Sequence, residues 1–501
     1  MPNRLSLILA GATLCAIGPS LAAQESPRSI ERWDTIELKF AGPATGNPFT
    51  DVRFSAEFRY QHRAIDVPGF YDGDGAYIIR FMPDEEGGWT WTTHSSTPAL
   101  DGKSGRFTCV KPGPTNHGPV AVSGTWHFAY ADGIPYYPIG TTCYGWSHQT
   151  DALEEQTLAT LRKSPFNKMR MLLFPHYAHD MSTPREFPFV RDAQAEDDYT
   201  RFNPEFFRHQ DRRIRDLRDQ GIEADLILFH PYGSVPYAHM PADADDRYTR
   251  YVVARYAAFR NVWWSLANEY DFLRDKKMSD WDRLLRIVQD SDPYHHLRSI
   301  HNSGPMYDHS KPWITHVSVQ SHDFEKTEVW LKAYNKPVVF DECQYEGDIP
   351  ARWGNLSAEE MVRRFWLLAA MGAYAGHSET YQEDDNHHLW LAHGGTMVGG
   401  SVARIAFFRK ILEETGPLTA QPENYYPVAG RKGEYYLWYF DCHQPKTYDV
   451  NLPEGGRYQA EVIDPWQMTV TPIEGILQGG KARLTLPRKP YLAVRIRRIS
   501  K

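Results

Sequence analysis

The run Asn261-Val-Trp-Trp-Ser-Leu-Ala-Asn-Glu-Tyr-Asp271 decides how the rest of the chain is interpreted. Its apolar part, Val262 to Leu266, is short and rich in β-forming residues, as expected for a fully buried strand. The run then ends in the polar pair Asn268-Glu269. A second run, Lys336-Pro-Val-Val-Phe-Asp-Glu-Cys343, has the same form and delivers Glu342. Two buried strands that each end in a glutamate predict two carboxylates facing each other across the mouth of a barrel.

Strand-like and helix-like stretches alternate through the middle of the chain, which predicts an α/β fold of the (β/α)8 TIM-barrel type. The eight predicted strands lie near residues 137–142, 168–174, 224–229, 262–266, 298–301, 316–320, 338–341 and 373–379. Alternating β patterns on both sides of this region predict two small all-β sandwich domains. The predicted domains are residues 24–113 for the N-terminal sandwich, 118–416 for the barrel and 417–501 for the C-terminal sandwich.

Composition restricts the classes of partner. A chain of 501 residues with 42% hydrophobic and 14% aromatic residues can form two or three domains with large cores. The formal net charge of -8 argues against nucleic acid or an anionic membrane as a partner. Aromatic rings stack well on sugar faces, so a carbohydrate partner is compatible with this composition. Nothing in the sequence predicts the oligomeric state.

The first 23 residues have the form of a secretory signal peptide. Arg4 supplies the positive charge, Leu5 to Ile17 form a short apolar run, and Leu21-Ala-Ala-Gln24 contains small residues suited to cleavage. The apolar run is too short to span a membrane. We therefore expect export to the periplasm or the medium, with no membrane attachment after cleavage.

Three stretches resemble known domains. The runs Phe70-Tyr-Asp-Gly-Asp-Gly75 and Arg80 to Trp91 resemble the uncharacterised β-sandwich domain that precedes many bacterial secreted glycosidase barrels. The segment Phe128 to Thr142 resembles the opening hairpin and first strand of apiosidase-like barrels. The β-rich end of the chain resembles the small sandwich found behind such barrels. The resemblance implies a secreted glycoside hydrolase whose chemistry resides in the barrel.

The residues that follow the predicted strands form the candidate site, because strand C-termini meet at the mouth of a barrel. They combine carboxylates with aromatic, amide and imidazole groups, which suits a ligand with many hydroxyls. The set comprises Tyr144, Trp146, His230, Asn268, Glu269, His301, His322, Glu342, Glu379 and Tyr381, and Arg170 lies on the second strand. For Trp146, His301, His322 and Tyr381, ordinary packing is an equally good interpretation.

Glycoside hydrolysis needs one carboxylic acid to protonate the leaving oxygen and a second carboxylate on the other side of the sugar. Asn-Glu after a fourth strand and Glu after a seventh resemble the large clan of retaining glycosidases on this fold. That resemblance implies Glu269 as acid/base, Glu342 as nucleophile and Asn268 as a partner of the sugar 2-hydroxyl. It further implies that Arg170 keeps Glu342 ionised. His230 falls where the clan often has a substrate-binding histidine.

Other carboxylates compete for these roles. Glu379 also falls at a strand end, and Glu346 lies in the loop after Glu342. Asp341 is adjacent to Glu342, so we expect its side chain to point the opposite way if the strand continues, and we interpret it as structural.

The sequence predicts neither a metal nor a cofactor. The first strand ends in Thr141-Thr-Cys-Tyr144 and lacks the His-x-His of metal-dependent amidohydrolases. The histidines of His176-x-x-His179, His295-His296 and His387-His388 have no fixed ligand geometry, and the cysteines lack metal-ligand spacing. Two alternative functions remain: a carbohydrate-binding barrel protein without catalysis, and a metal-dependent hydrolase. The sugar, the linkage, endo or exo action and any disulfide pairing stay open.

Overall fold

The computed structural model describes residues 29–175, 184–232, 236–382, 388–389, 393–421 and 424–499. The predicted signal peptide and the histidine pair His176 and His179 lie outside the described residues, as do His387 and the side chain of His388. Across the described ranges, no helix is both long and apolar enough to span a membrane.

The N-terminal region is a β domain of two antiparallel sheets, extended at one edge by a short parallel strand. Its elements are β1 (Ser29–Glu31), β2 (Ile36–Ala41), α1 (Pro48–Asp51), β3 (Phe54–Tyr60), β4 (Arg63–Pro68), β5 (Phe70–Tyr71), β6 (Ala76–Phe81), β7 (Gly87–Ser95) and β8 (Ser104–Val110). The strands pair in the orders β1-β8-β7-β3-β4 and β2-β6-β5. Phe58 and Phe81 stack with ring centroids 3.9 Å apart inside a shared apolar cluster. Alternating burial along β7 gives the domain its core face.

The central region combines parallel strands with helices. Its strands are β9 (Val120–Ser123), β10 (His127–Tyr130), β11 (Pro135–Tyr136), β12 (Gly140–Thr142), β13 (Lys168–Leu172), β14 (Phe189–Arg191), β15 (Asp197–Phe202), β16 (Glu223–Phe229), β17 (Val262–Ala267), β18 (Arg298–Ser299), β19 (Val317–Gln320), β20 (Val338–Glu342), β21 (Tyr374–Ala375), β22 (Tyr381–Gln382), β23 (His388–Leu389) and β24 (Thr396–Met397). Its helices are α2 (Asp151–Leu161), α3 (Pro204–Asp219), α4 (Ala242–Tyr256), α5 (Met278–Ser291), α6 (Thr327–Tyr334), α7 (Ala358–Ala370) and α8 (Ser401–Thr415).

Eight of these strands form two parallel sheets, ordered β12-β13-β16-β17-β18 and β19-β20-β21. Each coincides with a predicted strand, although β18 and β21 are only two residues long. Parallel contacts join the sheets at both edges. Gly140 bridges to Gly376, and the N–H of Thr315 donates to the carbonyl of Arg298 at 2.9 Å. The carboxyl ends of all eight strands therefore meet on one side, which is where the polar residues collect.

A β-bulge in β20 gives the Asp341 side chain a direction that differs from the expected one. Ser318 pairs with Val339, and Gln320 pairs with Glu342, so β20 contains one residue more than β19 over this interval. A bulge turns consecutive side chains away from strict alternation. Asp341 and Glu342 consequently point into the same interior, where Asp341 binds Lys168 Nζ at 2.7 Å. The expectation that Asp341 points the opposite way was wrong, because it assumed an uninterrupted strand.

The C-terminal region is antiparallel β structure. Its strands are β25 (Thr419–Ala420), β26 (Val428–Arg431), β27 (Tyr435–Tyr439), β28 (Thr447–Asp464), β29 (Thr469–Pro472), β30 (Leu477–Thr485) and β31 (Ala493–Arg498). Hydrogen bonds connect them into one continuous sheet. The long strand β28 continues through a register shift between Leu452 and Arg457. Its first part pairs with β30, and its second part pairs with β29 and β31.

Buried ion pairs join the N-terminal domain to the helices of the central region. Arg80 of β6 donates to Asp211 of α3 at 2.6 and 2.9 Å. Arg255 of α4 binds the same carboxylate at 2.7 Å and reaches Asp72 at 2.8 Å. Burial opposes ionisation of Asp211, but the two guanidiniums outweigh it and hold the pKa of this carboxyl well below its usual range. This network fixes the N-terminal domain against α3 and α4.

The described cysteines and paired histidines have structural surroundings. Cys109, Cys143 and Cys343 are buried, and Cys442 is exposed. His296 is buried and binds Asp292, with 3.1 Å between Nδ1 and Oδ2.

Candidate active site

Glu342 ends β20 and lies at the centre of a dense polar cluster. The hydroxyl of Tyr144 donates to its Oε1, and the hydroxyl of Tyr345 donates to its Oε2 at 2.6 Å. Arg170 Nη1 and His301 Nε2 each lie 3.4 Å from Oε1. All five side chains are buried. Burial alone would raise the pKa of Glu342. The contacts with His301, Arg170 and Tyr144 overcome burial and lower that pKa to about 2.

Glu269 follows β17 in a left-handed backbone conformation, with φ of 44°. Its side chain is only partly buried, so it can reach a bound molecule. The amide of Gln320 donates to its Oε1 at 3.0 Å. Burial, followed by the charge of Glu342, raises the pKa of Glu269 to about 7 and outweighs the hydrogen bonds from Gln320 and Tyr232. The shared surroundings therefore shift the pKa values of the two glutamates in opposite directions.

Arg170 connects both glutamates. It approaches Glu342 directly, and its Nη2 donates to Asn268 Oδ1 at 2.7 Å. The Asn268 amide donates to the hydroxyl of Tyr232, which in turn hydrogen-bonds Glu269. The same amide lies 3.5 Å from Glu342 Oε1. A displacement of Arg170 would therefore change the hydrogen-bonding surroundings of both carboxylates.

A second buried layer supports this cluster from below. Lys168 Nζ lies between Asp225 and Asp341, at 2.6 and 2.7 Å. The hydroxyl of Ser318 donates to Asp341 at 2.5 Å, so its oxygen must accept from Nδ1 of His301 at 2.9 Å. Nδ1 of His301 therefore carries a proton, and the contact of its Nε2 with Glu342 lowers the pKa of that carboxyl when Nε2 is protonated as well.

Two other residues predicted to bind substrate lie deeper. His230 Nε2 lies 3.1 Å from the carbonyl of Phe174, and its Nδ1 accepts from the Tyr232 N–H at 3.3 Å. Through these contacts His230 positions Tyr232, which belongs to the cluster. Trp146 is fully buried within the main apolar cluster. This location favours packing over sugar stacking for the Trp146 ring.

The remaining predicted contacts divide between core and rim. Glu379 is buried, with φ of 51°, and its N–H donates to the carbonyl of Thr142 at 3.1 Å. Its charge contributes, after burial and other charges, to the raised pKa of Tyr144 and Tyr345, which places it beside the cluster. Tyr381 is fully buried in the main apolar cluster. His322 is exposed at the rim.

The rival carboxylate Glu346 has a different function. It accepts from the backbone N–H of Gly400 at 2.6 Å and of Ser401 at 3.1 Å. These are orphan donors at the start of α8, so Glu346 caps that helix.

Sequence reasoning missed Tyr345 and Gln320. Gln320 ends a predicted strand, so the rule that selected Glu342 could also have selected it. Tyr345 lies three residues beyond β20, and no pattern in the sequence indicates that its hydroxyl turns back to Glu342. The conformation of this loop, unlike that of the strands, leaves no recognisable pattern in the sequence.

One group of described residues has the ligand types and proximity of a metal site. Asp151, Glu154 and His209 bring ligand atoms within 4.8 Å of one another. However, Arg213 Nε lies 2.7 Å from Glu154, and Arg185 lies 2.9 Å from Asp151. Because these guanidiniums already supply positive charge, the group is an ion-pair cluster.

The fold is one that occurs among glycoside hydrolases. A glycoside hydrolase family 5 protein from Bacteroides vulgatus ATCC 8482 is 14% identical, covers 77% of this chain and 94% of its own, and superposes with a TM-score of 0.61. A candidate glycoside hydrolase from the same organism is 37% identical over 94% of this chain and 100% of its own, with a TM-score of 0.87. No curated protein sequence matches the chain.

The chain belongs to the apiosidase-like catalytic domain family, whose pattern matches residues 123–391. Residues 29–96 match a domain of unknown function, DUF5060, and residues 425–497 match another, DUF5605. The resemblance of the central region to apiosidase-like barrels and of the two flanking regions to domains that accompany such barrels is therefore confirmed.

Proposed function

We propose that this protein is a retaining glycoside hydrolase with Glu269 as acid/base and Glu342 as nucleophile. The observation that carries the proposal is the contrast between the surroundings of the two carboxyl groups. Glu342 is buried among Tyr144, Tyr345 and Arg170, whereas the partly buried Glu269 accepts from Gln320 and Tyr232. The pKa of Glu342 is lowered and that of Glu269 is raised accordingly. A pair of carboxyl groups separated in this way supplies a proton donor and an anion at the same pH. Membership of the apiosidase-like family and the likeness to a candidate glycoside hydrolase support the assignment.

The reaction proceeds in two displacements. Glu342 attacks the anomeric carbon while protonated Glu269 gives its proton to the leaving oxygen, forming a glycosyl ester and a free hydroxyl. Ionised Glu269 then removes a proton from water, which attacks the same carbon and releases Glu342 as a carboxylate. Asn268 is held between Arg170 and Tyr232. It is thereby in position to donate to the sugar hydroxyl beside the reacting carbon.

The proposal extends to the architecture around the site. The two parallel sheets are parts of one (β/α)8 barrel, supported by the contacts at both of their edges. The domains span residues 24–113, 118–416 and 417–501, and a signal peptide over residues 1–23 directs export to the periplasm or medium. The substrate is a plant, algal or microbial polysaccharide or its oligosaccharides.

Mass spectrometry of glycan digests tests the proposal. Plant, algal and microbial polysaccharides are incubated with the wild type and with Glu342→Ala, and the released oligosaccharides are compared. We expect products from the wild type alone. Equal release by both proteins would remove Glu342 from the mechanism, and no release by either would overturn the hydrolase assignment. Binding that survives Glu269→Gln with no product from the wild type would favour the carbohydrate-binding alternative.

A covalent label separates retention from inversion. A 2-fluoro glycoside of the sugar identified in the screen should glycosylate Glu342, with loss of its leaving group, and peptide mapping locates the glycosyl ester. Labelling of Glu379 would transfer the nucleophile role to that residue. Inverted anomeric configuration of the first product, followed by NMR, would contradict double displacement.

A further inference from the structure

A buried relay of hydrogen bonds, formed by His301, Ser318 and Asp341, leads away from the candidate nucleophile Glu342. His301 Nε2 lies 3.4 Å from Glu342 Oε1, and its Nδ1 lies 2.9 Å from the hydroxyl of Ser318. Ser318 donates to Asp341 at 2.5 Å, and Asp341 binds Lys168 Nζ at 2.7 Å. Each of these side chains is at most 3% exposed, so bulk water does not screen the charges along the relay.

The direction of the hydrogen bonds in the relay follows from Asp341. Burial opposes its ionisation, but Lys168 and Arg170 outweigh burial and hold the pKa of Asp341 well below its usual range. An ionised carboxylate only accepts, so the Ser318 hydroxyl directs its single proton to Asp341 and accepts from Nδ1 of His301. A neutral His301 ring would therefore present a lone pair at Nε2.

Nε2 of His301 needs a proton to face Glu342 favourably. Within the described part of the chain, this buried atom completes no hydrogen bond, and it faces Glu342 Oε1 at 3.4 Å. A lone pair and a carboxylate oxygen repel each other, whereas a proton between them attracts both. Hydrogen bonds of catalytic groups are often long before substrate binds and shorten in the complex, so the distance suits a donor that tightens on binding.

The balance of buried charges favours this proton. The charged groups connected through ion pairs are the carboxylates of Glu342, Asp341 and Asp225 and the cations of Lys168 and Arg170. Three anions and two cations leave one negative charge uncompensated, which is costly in a buried site. Burial, followed by the charge of Arg170, lowers the pKa of His301, and the Glu342 and Asp341 carboxylates act in the opposite direction. The neighbouring His309 adds no charge, because burial lowers its pKa to about 3. A proton on Nε2 brings the buried set to neutrality, and this gain decides against the cost of burial.

We propose that His301 carries protons on both ring nitrogens, and that Ser318 and Asp341 are positioning residues that hold it in this state. The Nε2–H of His301 then donates to Glu342 in both displacements. When the glycosyl ester breaks, the electron pair of its C–O bond returns to the Glu342 carboxylate, and the same N–H stabilises that charge. His301 neither gains nor loses a proton in the cycle. The catalytic part of the inference rests on the proposed hydrolase function, whereas the proton can be measured without turnover.

Nitrogen NMR of the full-length protein labelled with 15N-histidine tests the proton directly. The signals of His301 are those lost in His301→Gln, and 15N shifts distinguish a ring with two protonated nitrogens from a neutral ring. Near neutral pH we expect two protonated nitrogens in the wild type and in Ser318→Thr, and a neutral ring in Ser318→Ala. A neutral His301 in the wild type would overturn the inference, whether or not the protein is a hydrolase. A doubly protonated ring in Ser318→Ala would remove Ser318 from the relay.

Kinetics on the substrate found in the glycan screen test the consequence for Glu342. We expect Ser318→Ala to lower kcat/KM about tenfold, the size of one lost hydrogen bond, and to move its acid limb upward because the Glu342 anion loses support. Ser318→Thr keeps a hydroxyl and should stay within about threefold of the wild type. The matched control is Ser265→Ala, which removes from β17 a buried hydroxyl that makes no hydrogen bond to the described residues.

Two kinetic results would overturn the relay and leave the hydrolase intact. One is an unmoved acid limb in Ser318→Ala, and the other is an equal loss of kcat/KM in Ser318→Ala and Ser265→Ala. Absence of cleavage by the wild type, together with a doubly protonated His301, would instead overturn the proposed function and leave the assignment of the proton standing.

Discussion

Replacement of Gln320 by leucine should move the alkaline limb of the pH profile upward. Gln320 donates to Glu269 at 3.0 Å, and this bond stabilises the carboxylate over the carboxylic acid. A hydrogen bond to a charged group contributes roughly 1.5 kcal/mol at the low end, and one pKa unit corresponds to about 1.36 kcal/mol. The pKa of Glu269, about 7 in the wild type, should therefore rise by about one unit in Gln320→Leu.

Because Glu269 must be protonated to act as the acid, activity is lost as the pH rises through its pKa. The profile of kcat/KM reports the free enzyme, so its alkaline midpoint should lie near pH 7 in the wild type and about one unit higher in the variant. Titration of the glutamate side-chain carbons by 13C NMR measures the same pKa without turnover. His322→Ala is the control, since this exposed residue follows the same strand.

A midpoint that stays in place, or moves toward acid, would refute the reasoning. An unmoved midpoint would show that the hydrogen bond from Gln320 does not influence the proton of Glu269, and an acid shift would show that Gln320 stabilises the carboxylic acid over the carboxylate. A shift in His322→Ala equal to that in Gln320→Leu would show a general disturbance of the loop.

The remaining predictions concern stability and Glu342. Burial raises the pKa of Glu223 from 4.5 to about 8. The contribution of this residue to stability is therefore fully present below pH 4.5 and is lost as the pH rises through 8. The loss in the free energy of unfolding is at most about 5 kcal/mol. Glu223→Gln should therefore raise the melting temperature at pH 8 and leave it unchanged at pH 4.5; an equal change at both pH values would contradict this. Tyr345→Phe should raise the pKa of Glu342, seen as an upward move of the acid limb of kcat/KM, because the anion loses a donor at 2.6 Å; an unmoved acid limb would refute it. Asp211→Asn should cost about 3–5 kcal/mol in calorimetric unfolding, because two buried arginines lose their shared partner; Asp449→Asn, at a partly exposed ion pair, is the control, and equal effects would contradict the argument.

The parts of the molecule that the sequence predicted follow from strand periodicity. Buried parallel strands appear as apolar runs, and their last residues reach the same side of a sheet, so Asn268, Glu269 and Glu342 could be placed together before any coordinates. Arg170 was selected through the resemblance of its strand to the second strand of the retaining glycosidase clan. The eight strand segments were predicted for the same reason.

The parts that escaped prediction depend on register and loops. The bulge in β20 changes the direction of Asp341, and nothing in the residues from Lys336 to Cys343 indicates an extra residue relative to β19. Tyr345 turns back to Glu342 through a loop that contains a left-handed residue at Gln344. The long strand β28 likewise changes its pairing partners along its length. Each of these features depends on the segments that lie next to it in the fold, and a single sequence does not show which segments those are.

The left-handed backbone at the site sets a limit on how this protein can be stabilised. Glu269, Gln344 and Glu379 have φ values of 44°, 69° and 51°, where glycine is the least strained residue. A selection for thermal stability alone would favour glycine at these positions, and at Glu269 it would remove the proposed proton donor. Libraries that select for heat resistance should therefore leave position 269 unchanged, because stability and the proposed proton transfer favour different residues there.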